Sequence, residues 1–141
     1  MKLKVTKAEM WRATIADQPG GAAGVLGPVA DAGADFEFAF MRRAPEMPGN
    51  GLLFVLPVKG KKAVAAAQAA GLAPSGDMHM LRVEGADKPG TTAAIARAMG
   101  QAGINFRALS ATAVGRNFRA FLALDSAEDA ARAAGALKKL K

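Results

Sequence analysis

A two-layer α/β (α+β) sandwich, built twice in tandem with antiparallel sheets, is what this sequence predicts. Three observations carry the prediction. The segment Trp11-Arg-Ala-Thr-Ile-Ala-Asp17-Gln-Pro19-Gly20 lies over Leu81-Arg-Val-Glu-Gly-Ala-Asp87-Lys-Pro89-Gly90 at an offset of 70. The same offset persists through Asp31-Ala-Gly33-Ala-Asp35-Phe36 and Gln101-Ala-Gly103-Ile-Asn105-Phe106. Further on, Phe54-Val-Leu falls opposite Phe121-Leu-Ala at an offset of 67, so the first copy holds about three extra residues, most simply within residues 44–51. Punctuation and apolar pattern that return at one spacing mark a structural unit built more than once.

Each copy opens with a strand. Trp11, Ala13 and Ile15 alternate with polar neighbours, as do Leu81 and Val83, which is the period of a half-buried strand. A Pro-Gly turn follows. Val25, Val29 and Ala32, matched by Ile95, Met99 and Ala102, then recur at helical spacing. Gly33 and Gly103 supply the left-handed residue on which helices commonly end. Phe36, Phe38 and Phe40 return to period two, opposite Phe106, Ala108 and Ser110. This aromatic stripe is expected to pack beneath the helices. Third strands follow at residues 52–58 and 118–124, and Ala-rich helices at 61–70 and 127–137. Ser126, with Asp129 three residues on, is a capping-box-like start to the last of these.

Strand–helix–strand–strand–helix is the ferredoxin-like βαββαβ order with one strand still to find. Residues 72–74 offer a short fourth strand in the first copy. The second copy ends in Leu137-Lys-Lys-Leu-Lys141, where almost nothing is left. The N-terminal segment 2–7, with Leu3 and Val5 alternating outside the repeat, either supplies that strand or lengthens the first one. The domains are expected at residues 1–73 and 78–141. One local conflict stands out: Pro28 falls inside the first helix, where proline removes a hydrogen bond and clashes with the preceding turn. Gly20, Gly21, Gly24 and Gly27 weaken the same segment. That helix is expected to start late or to bend, whereas the one from Thr91 should be regular.

Composition narrows the function. The 141 residues contain no cysteine and no tyrosine, and His79 is the only histidine. Disulfides, thiol catalysis, thiolate metal sites and a multi-histidine metal centre within one chain are thereby excluded. No apolar run approaches a membrane span, and the start MKLKVTK lacks a signal-peptide core, so a cytoplasmic protein without a membrane partner is expected. The net charge of +7 is spread out: residues 1–76 carry nine basic against six acidic residues, and residues 77–141 ten against six. A diffuse excess suits a solvated surface better than a nucleic-acid groove.

At the Pro-Gly turns and the strand starts after the first helices, the sequence resembles the ACT domain family. The motif is an Asp-x-Pro-Gly turn after the first strand, then Gly-apolar-Asn-apolar opening the second. Asp87-Lys88-Pro89-Gly90 and Gly103-Ile104-Asn105-Phe106 fit it closely; Asp17-Gln18-Pro19-Gly20 and Gly33-Ala34-Asp35-Phe36 fit with Asp in place of Asn. The resemblance covers nearly all of residues 10–140. It implies a regulatory module that binds small molecules, often amino acids, and works through paired domains whose sheets align edge to edge. The ligand is then expected near the first strand-to-helix turn.

The chemistry of such a site can be derived from the residues. Gly20-Gly21 and Gly90-Thr91 fall at helix N-termini, where unpaired N–H groups and the helix dipole favour a carboxylate. Asp35 or Asn105 offers side-chain oxygen to a ligand ammonium. Ligand-binding candidates are therefore Asp87, Lys88, Pro89, Gly90, Thr91, Asn105 and Phe106 in the second copy, and Asp17, Gln18, Gly20, Gly21 and Asp35 in the first. The second copy is favoured, because Thr91 adds a hydroxyl and Asn105 matches the motif. The same Asp residues are also ordinary turn formers. Arg42 and Arg43, leading into the long hairpin, either surround an anion or end a solvated turn.

The expectation is a non-catalytic sensor of an amino acid or similar small carboxylate, without cofactor or metal, forming a homodimer and serving a regulated enzyme. The alternative is a nucleic-acid-binding protein on the same scaffold. Its case is weakened because the third strands are mainly aliphatic where an RNA-binding sheet would present aromatics.

Overall fold

A computed structural model describes all 141 residues and contains four helices and eight strands in two four-stranded antiparallel sheets. The compact units are Glu9–Ser75, and Met1–Ala8 together with Gly76–Lys141.

The first-repeat unit contains β2 (Trp11–Ala16), α1 (Ala23–Asp31), β3 (Phe38–Arg43), β4 (Asn50–Leu56), α2 (Lys61–Ala69) and β5 (Ala73–Pro74), with sheet order β3-β4-β2-β5. Alternation decides which side chains are buried. Trp11, Ala13 and Ile15 pair across the ladder with Val55, Leu53 and Gly51 and face one core with Val29, Ala67 and Leu72. The anticipated short fourth strand is real, with Pro74 and Ala73 opposite Trp11 and Arg12.

Helix α1 begins at Ala23, whereas α3 of the second repeat (Thr91–Gln101) begins at the position equivalent to residue 21. It therefore starts late, as the glycines and Pro28 predict. Both helices end on a left-handed glycine, with Ala34 N–H donating to Val29 O and Ile104 N–H to Met99 O. These bonds satisfy the last-turn carbonyls that the helix leaves open.

The aromatic stripe divides, against the expectation that all of it packs beneath the helices. Phe36 packs against the core, but Phe40 is 49% exposed and stacks on Phe54 with ring centroids 6.4 Å apart. The register explains it: Phe40 pairs with Phe54, whereas Met41 pairs with the core residue Leu53. Neighbours along a strand face opposite ways, so Phe40 lies on the sheet face away from that core.

The second-repeat unit contains β6 (His79–Ala86), α3, β7 (Ala108–Val114), β8 (Asn117–Leu124) and α4 (Ala127–Lys138), and its sheet runs β1-β6-β8-β7. The missing strand is β1 (Lys4–Ala8), which pairs antiparallel with β6 from Lys4↔Glu84 to Ala8↔Met80. The expected boundary 1–73 is thus corrected at its N-terminal end: residues 1–8 complete the second unit. Leu3 and Val5 drive this, each 8% exposed in one cluster with Leu81, Val83, Ile95, Met99, Leu122 and Leu137. Ser126 caps α4 as expected, its Oγ accepting from Asp129 N–H at 3.0 Å.

Candidate functional site

Both strand-to-helix turns fold alike at the backbone. Gly20 and Gly90 share φ of +85°, a conformation open to glycine and strained for other residues. Asp17 N–H donates to Gly49 O at 3.1 Å, and Asp87 N–H to Arg116 O at 2.8 Å, tying each turn to the far hairpin of its own sheet. The next residue separates them. At Gly21 a Cβ would stand 2.1 Å from Ala16 O, so the first turn has no room for a side chain. The second turn accommodates Thr91, which is 3% exposed and donates its hydroxyl to Lys88 O at 2.8 Å. The hydroxyl expected to serve a ligand therefore closes its own turn.

A cavity of about 300 Å³ lies against the first turn. Its wall comprises residues 15–20, the helix start at Ala22 and Ala23, residues 41–43 of β3, and Gly51. The strand pairing assembles it, since Arg43 pairs with Gly51 and Gly51 with Ile15. Gly51 stays small because a Cβ there would meet Arg42 O at 3.0 Å and Ile15 Cγ1 at 3.4 Å.

Arg43 supplies the positive charge on the cavity side of the sheet, its Nε 2.5 Å from Asp17 Oδ2. The Arg42 side chain turns to the opposite face, where its Nη1 and Nη2 donate to the two carboxylate oxygens of Glu46 at 3.0 and 3.2 Å. Hydrogen bonding from Arg42 holds the Glu46 carboxyl below its ordinary value, and the same bond raises the arginine further. With the N-terminal end of α1 on the wall, the dipole adds to the positive potential. In the second repeat the positions equivalent to Arg42 and Arg43 are Thr112 and Ala113.

Of the first-copy candidates, Asp17, Gln18 and Gly20 line this cavity, and Gly21 shapes the turn behind it. Asp35 does not join them. Residues 34–36 precede the Phe38 end of β3, which pairs with Leu56, while the cavity sits at the Arg43 end. Six strand residues at about 3.3 Å each separate the two ends by roughly 20 Å. In the second copy Asn105 is exposed beyond the far end of the 11-residue α3, about 16 Å from Gly90 at 1.5 Å per residue. One amino acid cannot span either gap, so the anion site and the Asn105 or Asp35 oxygen of a single repeat cannot share it. Phe106 packs against the core. Asp87, Lys88, Pro89 and Gly90 are exposed. Near Asn105, Arg107 bridges Asp77 at 2.7 Å and Asp125 at 3.6 Å.

Of the two arginines that the sequence offered either round an anion or at a solvated hairpin end, Arg43 stands beside Asp17 on the cavity side, whereas the Arg42 side chain lies on the other face with Glu46. The position equivalent to Arg43 in the second copy is Ala113, beside the one segment where the copies differ in length. No helix is long and apolar enough to cross a membrane.

Architecture and turns define a class: two ferredoxin-like α+β units, each delivering its chain through a Pro-Gly turn into the first helix. Residues 79–141 match the family model of the ACT domain. That match leaves out β1, the strand that completes the same sheet. No curated protein matches the sequence. Among solved structures, the chain is similar to a Bacteroides thetaiotaomicron protein at 13% identity and a TM-score of 0.76, over 96% of this chain and 99% of that one. The ligand-free regulatory subunit of aspartate kinase from Thermus thermophilus aligns at 19% identity and a TM-score of 0.63, covering 96% of this chain and 95% of its own. The corresponding subunit from Thermus flavus gives 19% and 0.63, over 97% and 95%. At these identities the likeness is one of fold, and it extends across both repeats.

Proposed function

We propose that this protein is a regulatory binding protein for a small carboxylate, in the first instance an amino acid, held at the first repeat's strand-to-helix turn without chemical change. One observation carries the reading: a single cavity combines the start of α1, the Asp17 carboxylate and the Arg43 guanidinium beside it. A ligand carboxylate is served by the helix start and the Arg43 guanidinium. A ligand ammonium is served by Asp17, which takes the role first given to Asp35. The volume lies at the small end of ligand pockets. The ACT-domain match over residues 79–141 supports a regulatory role, and the fold shared with aspartate kinase regulatory subunits agrees with it.

The remaining parts of the reading are that the protein acts in the cytoplasm, forms a homodimer and adjusts a partner enzyme. The edge strand β7, exposed along its whole length, is the surface offered for pairing with a second copy. A ligand that binds the assembled state more tightly would stabilise it by mass action.

A thermal-shift screen of the chain against the twenty amino acids tests the binding. The expected result is a concentration-dependent rise in melting temperature for a subset of them, lost in Asp17→Asn and Arg43→Gln. A flat response across the set would count against the reading.

A further inference from the structure

Met41 is 53% exposed although it stands on the core-bearing face of its sheet. Across the ladder it pairs with Leu53, and Leu53 with Ala13, both of them buried. One same-face step toward the turn, Arg43 pairs with Gly51 and Gly51 with Ile15, so glycine leaves the floor between arginine and isoleucine bare. The second repeat closes that space. Its equivalent row is Ala113, Phe118 and Gly85, where Phe118 is buried in the core, and Ala111 stands in place of Met41. The first repeat thus keeps an open floor with two larger apolar side chains, Ile15 and Met41, on the cavity wall. Charge is confined to the turn end, where Asp17 and Arg43 meet, since the Arg42 side chain lies on the other face.

Resting on the proposed binding of an amino acid in this cavity, we infer that the ligand side chain lies over Gly51 against Ile15 and Met41, so that the site selects an aliphatic amino acid and Met41 sets the preferred length. The ligand carboxylate and ammonium use the helix start, Arg43 and Asp17, which leaves no charged group on the wall for a charged side chain. A second carboxylate or ammonium would lose water against Ile15 and Met41 without a partner. Met41 is two residues from Arg43, about 6.6 Å along the strand. A side chain of three or four carbons reaches across that step to the thioether, and a single methyl does not. Methionine is unbranched and flexible, so it fits linear and branched ends alike.

The test is an amide NMR titration of the full chain, as wild type and Met41→Gln, with L-alanine, L-norvaline, L-leucine, L-aspartate and L-lysine. Shifts are followed at residues 17–23 and 41–43. In the wild type, norvaline and leucine are expected to bind about four- to ten-fold tighter than alanine, less than full burial of the added carbons would give because Met41 is itself half exposed. Aspartate and lysine are expected to bind more weakly than leucine. Met41→Gln is expected to weaken norvaline and leucine about three- to five-fold and to leave alanine unchanged. Norvaline no tighter than alanine, an acid or a base as tight as leucine, or an equal loss for alanine and norvaline in Met41→Gln overturns the inference and leaves binding at the cavity standing. No shift at those residues with any of the five compounds, in either protein, overturns the cavity reading and the inference with it. A dispersed amide spectrum of Met41→Gln, whose substituted side chain is exposed, confirms that the variant is folded.

Discussion

Leu3 fills the space that Gly85 leaves open on the neighbouring strand. A Cβ at Gly85 would stand 2.9 Å from Leu3 Cδ2 and 3.1 Å from Lys2 O. The equivalent residue of the first repeat is Ile15, buried in its own core; the two-residue β5 stops at Arg12, so on that edge no strand reaches Ile15. One repeat thus supplies the apolar bulk from its own strand, and the other borrows it from the N-terminus.

Leu3→Ala is accordingly expected to destabilise the second-repeat unit, near the low end of the about 2–5 kcal/mol typical of buried Leu→Ala changes because Leu3 lies just ahead of the edge strand β1. Gly85→Val alone should cost about 1–3 kcal/mol by overpacking. Combining the two should recover part of the loss, since the new side chain takes the place Leu3 vacates. Denaturant unfolding of the four proteins as a double-mutant cycle checks this; additive losses would show that the residues do not share one space.

Gly21 and Thr91 occupy equivalent positions, yet their substitutions should behave differently. Gly21→Ala brings a methyl within 2.1 Å of Ala16 O, so the first turn must rearrange. Thr91→Gly removes one hydrogen bond and a small buried side chain, expected to cost about 1–2 kcal/mol with the turn retained. Amide spectra distinguish the outcomes: residues 16–24 should shift broadly in the first variant, whereas shifts in the second should stay near residues 88–94.

The pH behaviour of the long hairpin follows from Glu46. Hydrogen bonding from Arg42 lowers its pKa, so the pair's contribution is present above the ordinary glutamate range and is lost as pH falls through the lowered folded value. A carboxyl-carbon NMR titration should place the Glu46 midpoint below that of an ordinary glutamate. Arg42→Gln should return it upward. An unchanged midpoint in that variant would show that Arg42 is not the cause.

The order of elements was readable because each boundary carried its own chemistry: Pro-Gly after each first strand, glycine after each first helix, Ser126 before the last. The destination of the N-terminal strand was not readable from alternation alone, since Leu3 and Val5 suit either sheet. Its trace lay elsewhere, in a glycine at position 85 where the first copy has isoleucine. The candidate site was half legible. Asp17, Gln18 and Gly20 belong to the cavity, but motif spacing hid the fact that a helix holds Gly90 and Asn105 at its opposite ends. The hydroxyl of Thr91 promised a ligand group, and burial turned it inward to its own turn. Arg43 has no local pattern to announce it, because only the pairing of β3 through β4 to β2 brings it to Asp17.

Binding at the first turn is tested most directly by mapping amide shifts on the full chain during titration with whichever amino acid gives the largest thermal shift. Perturbations should concentrate at residues 17–23 and 41–43 and be abolished by Asp17→Asn. Perturbations concentrated instead at residues 87–91 and 105, and indifferent to Asp17→Asn, would contradict the assignment and return the site to the second repeat.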